Sequence, residues 1–168
     1  TLEEMVADAE KAMARRGGPR YGIVWQGARY EGLITGFVEY LGAFGGQIID
    51  DKGEVVVNRP EAVRALEFMR DELYGSRVAP LDVLTWHQEE ARFAFHNGNA
   101  VFMRYGPDPI DAMRDRTPPK AADRFAFSPL PAFGTPPNGP CPAPLARPHP
   151  DTTAPPQFPH TDHDSHPD

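Results

Sequence analysis

An α/β fold is the class this sequence predicts, with helices packed on a small mixed sheet. Three observations carry that reading. Apolar residues recur at helical spacing in several windows of the first 127 residues. Short apolar runs, Tyr21–Trp25 and Ala100–Met103, stand between those windows. Capping and stop signals separate the two kinds of segment, and helix–strand alternation of this sort argues for helices layered on a sheet.

The elements follow in order. Thr1-Leu-Glu-Glu4 is a capping box, and Leu2, Met5, Val6, Ala9, Ala12 and Met13 continue it as a helix. Gly17-Gly18-Pro19 should stop that helix at Arg16. Tyr21–Trp25 reads as a buried strand. Residues 28–44 read as a long helix with a stripe of Tyr30, Leu33, Ile34, Phe37, Val38 and Leu41, ended by Gly45-Gly46. Gln47–Asp50 and Glu54–Val57 flank Asp51-Lys52-Gly53 as a hairpin. Asn58 should cap the next helix, whose stripe is Val63, Leu66, Met69 and Leu73. Thr85 opens a further helix through Phe95, and Asn97-Gly98 stops it. Ala100–Met103 is a strand, Pro107 restarts a helix to Arg116, and Phe125–Phe127 is a last strand.

Composition divides the chain. Thirteen of the 20 prolines lie from Pro129 onward, among the last 40 of 168 residues. Residues 134–168 hold too few large apolar groups to offset ordering entropy and are expected to be a disordered tail. The net charge of −7 is spread without a basic stripe, which argues against a nucleic-acid partner. No apolar run approaches the length of a membrane span. The single Cys141 excludes an internal disulfide framework and a cysteine-based zinc site.

The chemistry concentrates at Tyr21–Leu33, where a strand passes through Trp25, Gln26 and Gly27 into a helix beginning with Tyr30 and Glu31. An aromatic plate, an amide, a phenol and a carboxylate suit a neutral polyol. Ring faces cover C–H surfaces, and planar polar groups take paired hydroxyl bonds. The alternative is that Trp25 and Tyr30 are core aromatics and that Glu31 simply favours a helix start. Trp86 with His87 reads as packing at a helix start. Glu89-Glu90 reads as solvated surface, Asp50-Asp51 as turn residues, and His96 with Asn97 as a helix end. His160, His163 and His166 form a weak metal-binding run in the tail. No cofactor is expected. Nothing in the folded part has the ordering of a serine hydrolase, a phosphate loop or a metal-ligand set.

Four blocks together resemble the extracellular solute-binding proteins of ABC sugar importers, the group of maltose- and trehalose-binding proteins. They are Thr1-Leu-Glu-Glu-Met-Val6, Tyr21–Leu33, Phe44–Asp50 with Asn58–Leu66, and Phe93–Met103. The second is similar to a Trp-Gln-Gly-x-x-Tyr-Glu-Gly-Leu segment, and the last to a Phe-x-x-Gly-x-x-Ala-Met pattern. The match covers about residues 1–133. The resemblance implies one lobe of a two-lobed type II periplasmic binding fold, mostly the second lobe, with the sugar held between lobes. It implies a non-enzymatic carrier of a disaccharide such as maltose or trehalose. It further implies ABC permease subunits as partners, a monomer, and a periplasmic or extracellular location, with or without a lipid anchor. The candidate ligand residues are Trp25, Gln26, Tyr30, Glu31 and Tyr105. At the Arg104-Tyr105-Gly106-Pro107 corner, Gly106 stands where the family carries a sugar-stacking tryptophan, so Tyr105 or Tyr30 would take that role. Beyond Phe133 the familial pattern stops, which suggests a frameshifted tail and, as an alternative, a truncated product without function. A carbohydrate hydrolase is a further alternative; it would need two facing carboxylates.

Overall fold

The computed structural model describes residues 1–105 and 128–134. The elements are α1 (Leu2–Met13), β1 (Tyr21–Val24), α2 (Glu31–Ala43), α3 (Pro60–Tyr74), a 3₁₀ turn (Leu81–Thr85), α4 (Gln88–His96) and β2 (Ala100–Met103). The expected helix at 107–116, the strand at 125–127, the tail and its three histidines lie outside the described residues, as does Cys141.

β1 and β2 pair in parallel, with Tyr21 opposite Ala100, Ile23 opposite Phe102 and Val24 opposite Met103. On its other side β1 meets Val78, whose carbonyl accepts the N–H of Gly22 at 2.7 Å and of Ile23 at 3.0 Å. A side chain at position 22 would press on Ala9 and Val78, so the strand can lie against α1 only with glycine there. The core gathers Leu2 and Ala9 of α1, Ile23 and Trp25, Tyr40 of α2, Ala65, Met69 and Leu73 of α3, and Val78 and Val83. Residues 128–134 return across this core. Phe133 stacks on Phe44 with ring centroids 4.3 Å apart. The Leu2 N–H binds the Ala132 carbonyl at 2.9 Å.

Thr1 caps α1 as the sequence implies, its hydroxyl accepting the Glu4 N–H at 3.1 Å. Several other elements differ from expectation. α1 ends at Met13, ahead of Arg16, and continues only as turns. α2 starts at Glu31 because Ala28–Tyr30 form a turn held to the 83–86 segment, so Tyr30 is its N-cap and not part of a helical stripe. Ile34 and Val38 are exposed. The hairpin shrinks to one antiparallel bridge, Ile49 with Val55. Its turn is organised by Asp50, whose Oδ1 accepts the Lys52 and Glu54 N–H groups at 3.0 and 3.1 Å.

Asn58 does not cap α3; Arg59 occupies that position, and Pro60 supplies the preset first helical φ. The stripe of α3 is also rotated. Ala62, Ala65, Met69, Glu72 and Leu73 are buried, while Val63 and Leu66 face outward. The face that meets α2 carries the small Ala62 and Ala65 together with Met69, Glu72 and Leu73. Thr85 ends the 3₁₀ turn and does not begin α4. α4 starts after His87, where the Glu90 carboxylate accepts the His87 N–H at 2.9 Å.

Candidate functional site at the carboxyl ends of the parallel strands

Both strands of the sheet run toward one end, and chain leaving β1 there must turn sharply to start α2. Crevices outside the carboxyl ends of parallel strands are the usual ligand positions of open α/β sheets. The turn is fixed by main-chain bonds to a neighbouring segment. The Gly27 N–H donates to the Val83 carbonyl and the Ala28 N–H to the Trp86 carbonyl, each at 3.0 Å. At Gly32 a Cβ would collide with the Gln26 amide oxygen and the Tyr30 ring, so glycine is required for these side chains to close over the helix start.

Side chains on the two sides of this turn meet different surroundings. Trp25 is 4% exposed and points into the core. Its indole N–H donates to Glu72 Oε2 at 3.1 Å. The Tyr40 hydroxyl donates to Glu72 Oε1 at 2.9 Å. Burial pushes the Glu72 carboxyl up to about 7, against the pull of these two bonds, and Asp71 adds to the rise. Tyr40 is held well above the usual phenol range by burial and by the carboxylate beside it.

Gln26 lies on the other side of the turn and is as buried as Trp25, at 5% exposure. The Tyr30 hydroxyl donates to its Oε1. The Tyr30 ring sits on His87 with centroids 4.7 Å apart. Gln88 stands beside both phenols: its backbone faces the Tyr30 oxygen and opposes the rise in that phenol, and its side-chain Nε2 donates to the Tyr105 hydroxyl at 2.8 Å. Burial, with Glu31 nearby, raises the Tyr30 phenol, so it stays neutral at ordinary pH. Arg104, at the exit of β2, donates from Nε and Nη2 to the Glu39 carboxylate at 2.7 Å each. That bidentate pair neutralises a nearly buried guanidinium and fixes the strand end to α2.

The structure therefore brings Gln26, Tyr30 and, through Gln88, Tyr105 into one polar group, with exposed Glu31 beside Tyr30. It sends Trp25 the other way. His87, Gln88 and the Arg104–Glu39 pair belong to this end of the sheet and were not singled out as site residues from the sequence. Only the adjacency of His87 and Gln88 to Trp86 hinted at them. The arrangement offers neutral donors and acceptors beside aromatic faces, which is equipment for binding hydroxyls. Among the described residues, no group of three or more histidines, cysteines or acids could hold a metal. A depression of about 350 Å³ lined by Leu41, Gly46, Asp50, Arg59 and Glu61 lies apart from this group. We place the site by its chemistry and strand-end position and not by that hollow.

No protein-family model matches the chain. A probable ABC transporter-binding protein of Deinococcus radiodurans is 38% identical over 136 residues, covering 79% of this chain and 32% of that protein. The solved structure of maltose-bound MalE3 of T. maritima superimposes with a TM-score of 0.71 at 44% identity, covering 79% of this chain and 33% of that one. This chain is a relative of ABC-transporter solute-binding proteins. A ribitol complex of a solute-binding protein from Agrobacterium radiobacter K84 follows at 27% identity and TM-score 0.54, covering 62% of this chain and 26% of its own. A Thermotoga lettingae TMO solute-binding protein bound with α-D-tagatose shares the fold at 24% identity and TM-score 0.52. The periplasmic-binding-protein type of fold expected from the sequence is thus the fold found. The chain spans about a third of the length of the relatives it matches.

Proposed function

We propose that this chain carries part of the sugar-binding surface of an ABC importer's solute-binding protein, one wall of a two-walled cleft. The observation that supports this most is the Gln26–Tyr30–Gln88–Tyr105 array at the strand ends, in a fold shared with a maltose-bound relative. A disaccharide of the maltose or trehalose kind would lie across the Tyr30 and Tyr105 rings, with Gln26 and Glu31 taking its hydroxyls. Trp25 serves as the buried anchor behind them. Binding and release need no chemical step, so the chain acts as a carrier and not as an enzyme.

Permease subunits in a membrane would be its partners, and the location would be periplasmic or extracellular. Residues 1–133 form the folded unit in this reading, and 134–168 lie outside it. Because the chain spans about a third of its relatives' length, maltose should bind this 168-residue chain only at millimolar concentration or weaker. Isothermal titration with maltose tests this. Weak heat that disappears in Gln26→Ala is the expected result. Sub-millimolar affinity, or binding indifferent to Gln26→Ala, would overturn the reading.

A further inference from the structure

Glu72 is 1% exposed, at the centre of the molecule, and the carrier function just proposed gives it no task. Its carboxyl joins three elements: α3, which carries it; Tyr40 of α2; and Trp25 at the exit of β1. Each oxygen accepts one bond, so the group holds the two aromatic rings at a fixed separation. Among the described residues no cation pairs with it. The charged or titratable groups around it are Tyr40 from α2, with Glu39 beyond it bound to Arg104, and Asp71 from its own helix. Trp25 brings an uncharged donor. The 78–79 segment, whose Ala79 N–H binds the Glu72 carbonyl, brings no ionisable side chain.

We propose that Glu72 is the positioning residue of the Gln26–Tyr30 turn, and that gain or loss of its proton, transmitted through Trp25, shifts the polar array at the strand ends. Trp25 and Gln26 are adjacent in the chain, between Val24, whose carbonyl accepts the Arg104 N–H, and the turn pinned at Gly27 and Ala28. Main-chain movement that accompanies the indole therefore falls on the Trp25–Gln26 peptide, the stretch between those fixed points. An ionised carboxylate draws both donors inward. A protonated one keeps a single good acceptor and competes as a donor. This rests on the turn being the ligand surface, but its test needs no sugar.

The experiment follows the Trp25 indole and Gln26 side-chain amide signals by ¹⁵N NMR on the full chain from pH 5.5 to 8.5. Both should shift with one midpoint near 7. Glu72→Gln, which keeps the shape and can still accept the indole N–H, should flatten both curves. His87→Gln, which removes the imidazole from the Tyr30 ring, should leave both midpoints in place. A Gln26 curve that persists in E72Q, or that vanishes in H87Q, overturns the proposal. Should E72Q not fold, the Glu72 ¹³Cδ signal of the unsubstituted chain decides. A shared midpoint with Gln26 supports it, and a flat Gln26 amide while Glu72 titrates refutes it. Failure of maltose to bind leaves all these signals unaffected, so the two readings fail separately.

Discussion

Trp25 and Gln26 are neighbours in the chain and opposites in circumstance. Trp25 turns inward to a carboxyl shared with Tyr40, in a cluster sealed from water. Gln26 turns toward the strand ends and joins Tyr30, His87 and Gln88. One residue step at the end of a strand reverses the face; both side chains are buried, at 4% and 5% exposure, and what differs is their partners. An aromatic next to an amide in a sequence is therefore not yet a binding pair.

The sharpest way to break the comparison is to remove the inward member. Trp25→Ala should cost about 3–5 kcal/mol in urea unfolding, through the cavity it leaves and the Glu72 bond it strands. A loss under 1 kcal/mol would mean that Trp25 is not an anchor. Next in size is the pH dependence of stability. Glu72 rises from 4.5 to about 7 on folding, so between those values the folded state holds more protons than the unfolded one. Its contribution is fully present below pH 4.5 and is lost as pH rises through 7, a change on the order of 3 kcal/mol at most. His96, pushed down by burial and Arg92, works in the opposite direction as pH falls below its ordinary 6.5. The difference between the unsubstituted chain and Glu72→Gln isolates the Glu72 part. Smallest is Tyr30→Phe on the outward side. It removes one half-exposed hydroxyl and should change stability by about 1 kcal/mol or less, while weakening any response to maltose.

Much of the fold could be read from residue patterns. The capping box at Thr1 and the turn at Asp50 depend on neighbours within four residues, and both are present; the two strands show as short apolar runs, although the partners they pair with are far apart in the chain. What was missed depends on distant contacts. The outward rotation of Val63 and Leu66 follows from how closely α2 meets α3, and nothing local records that distance. Glu72 looks like any polar position on an amphipathic helix until Trp25 and Tyr40 reach it from 47 and 32 residues away. At the strand ends, Gln26 and Tyr30 could be named as candidates because an amide and a phenol beside a helix start are chemically conspicuous; the titration below tests whether they meet a ligand. The inward turn of Trp25 could not, because a tryptophan serves equally as plate or core. Gln88 gains its place only when β2 brings Tyr105 to within 2.8 Å of it.

The measurement that tests the account most directly is a maltose titration of the ¹⁵N-labelled chain, comparing the Gln26 side-chain amide with the Trp25 indole. The amide and the Tyr30–Glu31 backbone should shift progressively with sugar, and the indole should move less. Shifts confined to the indole, or to the Leu41–Ala62 depression, with the Gln26 amide still, would contradict it.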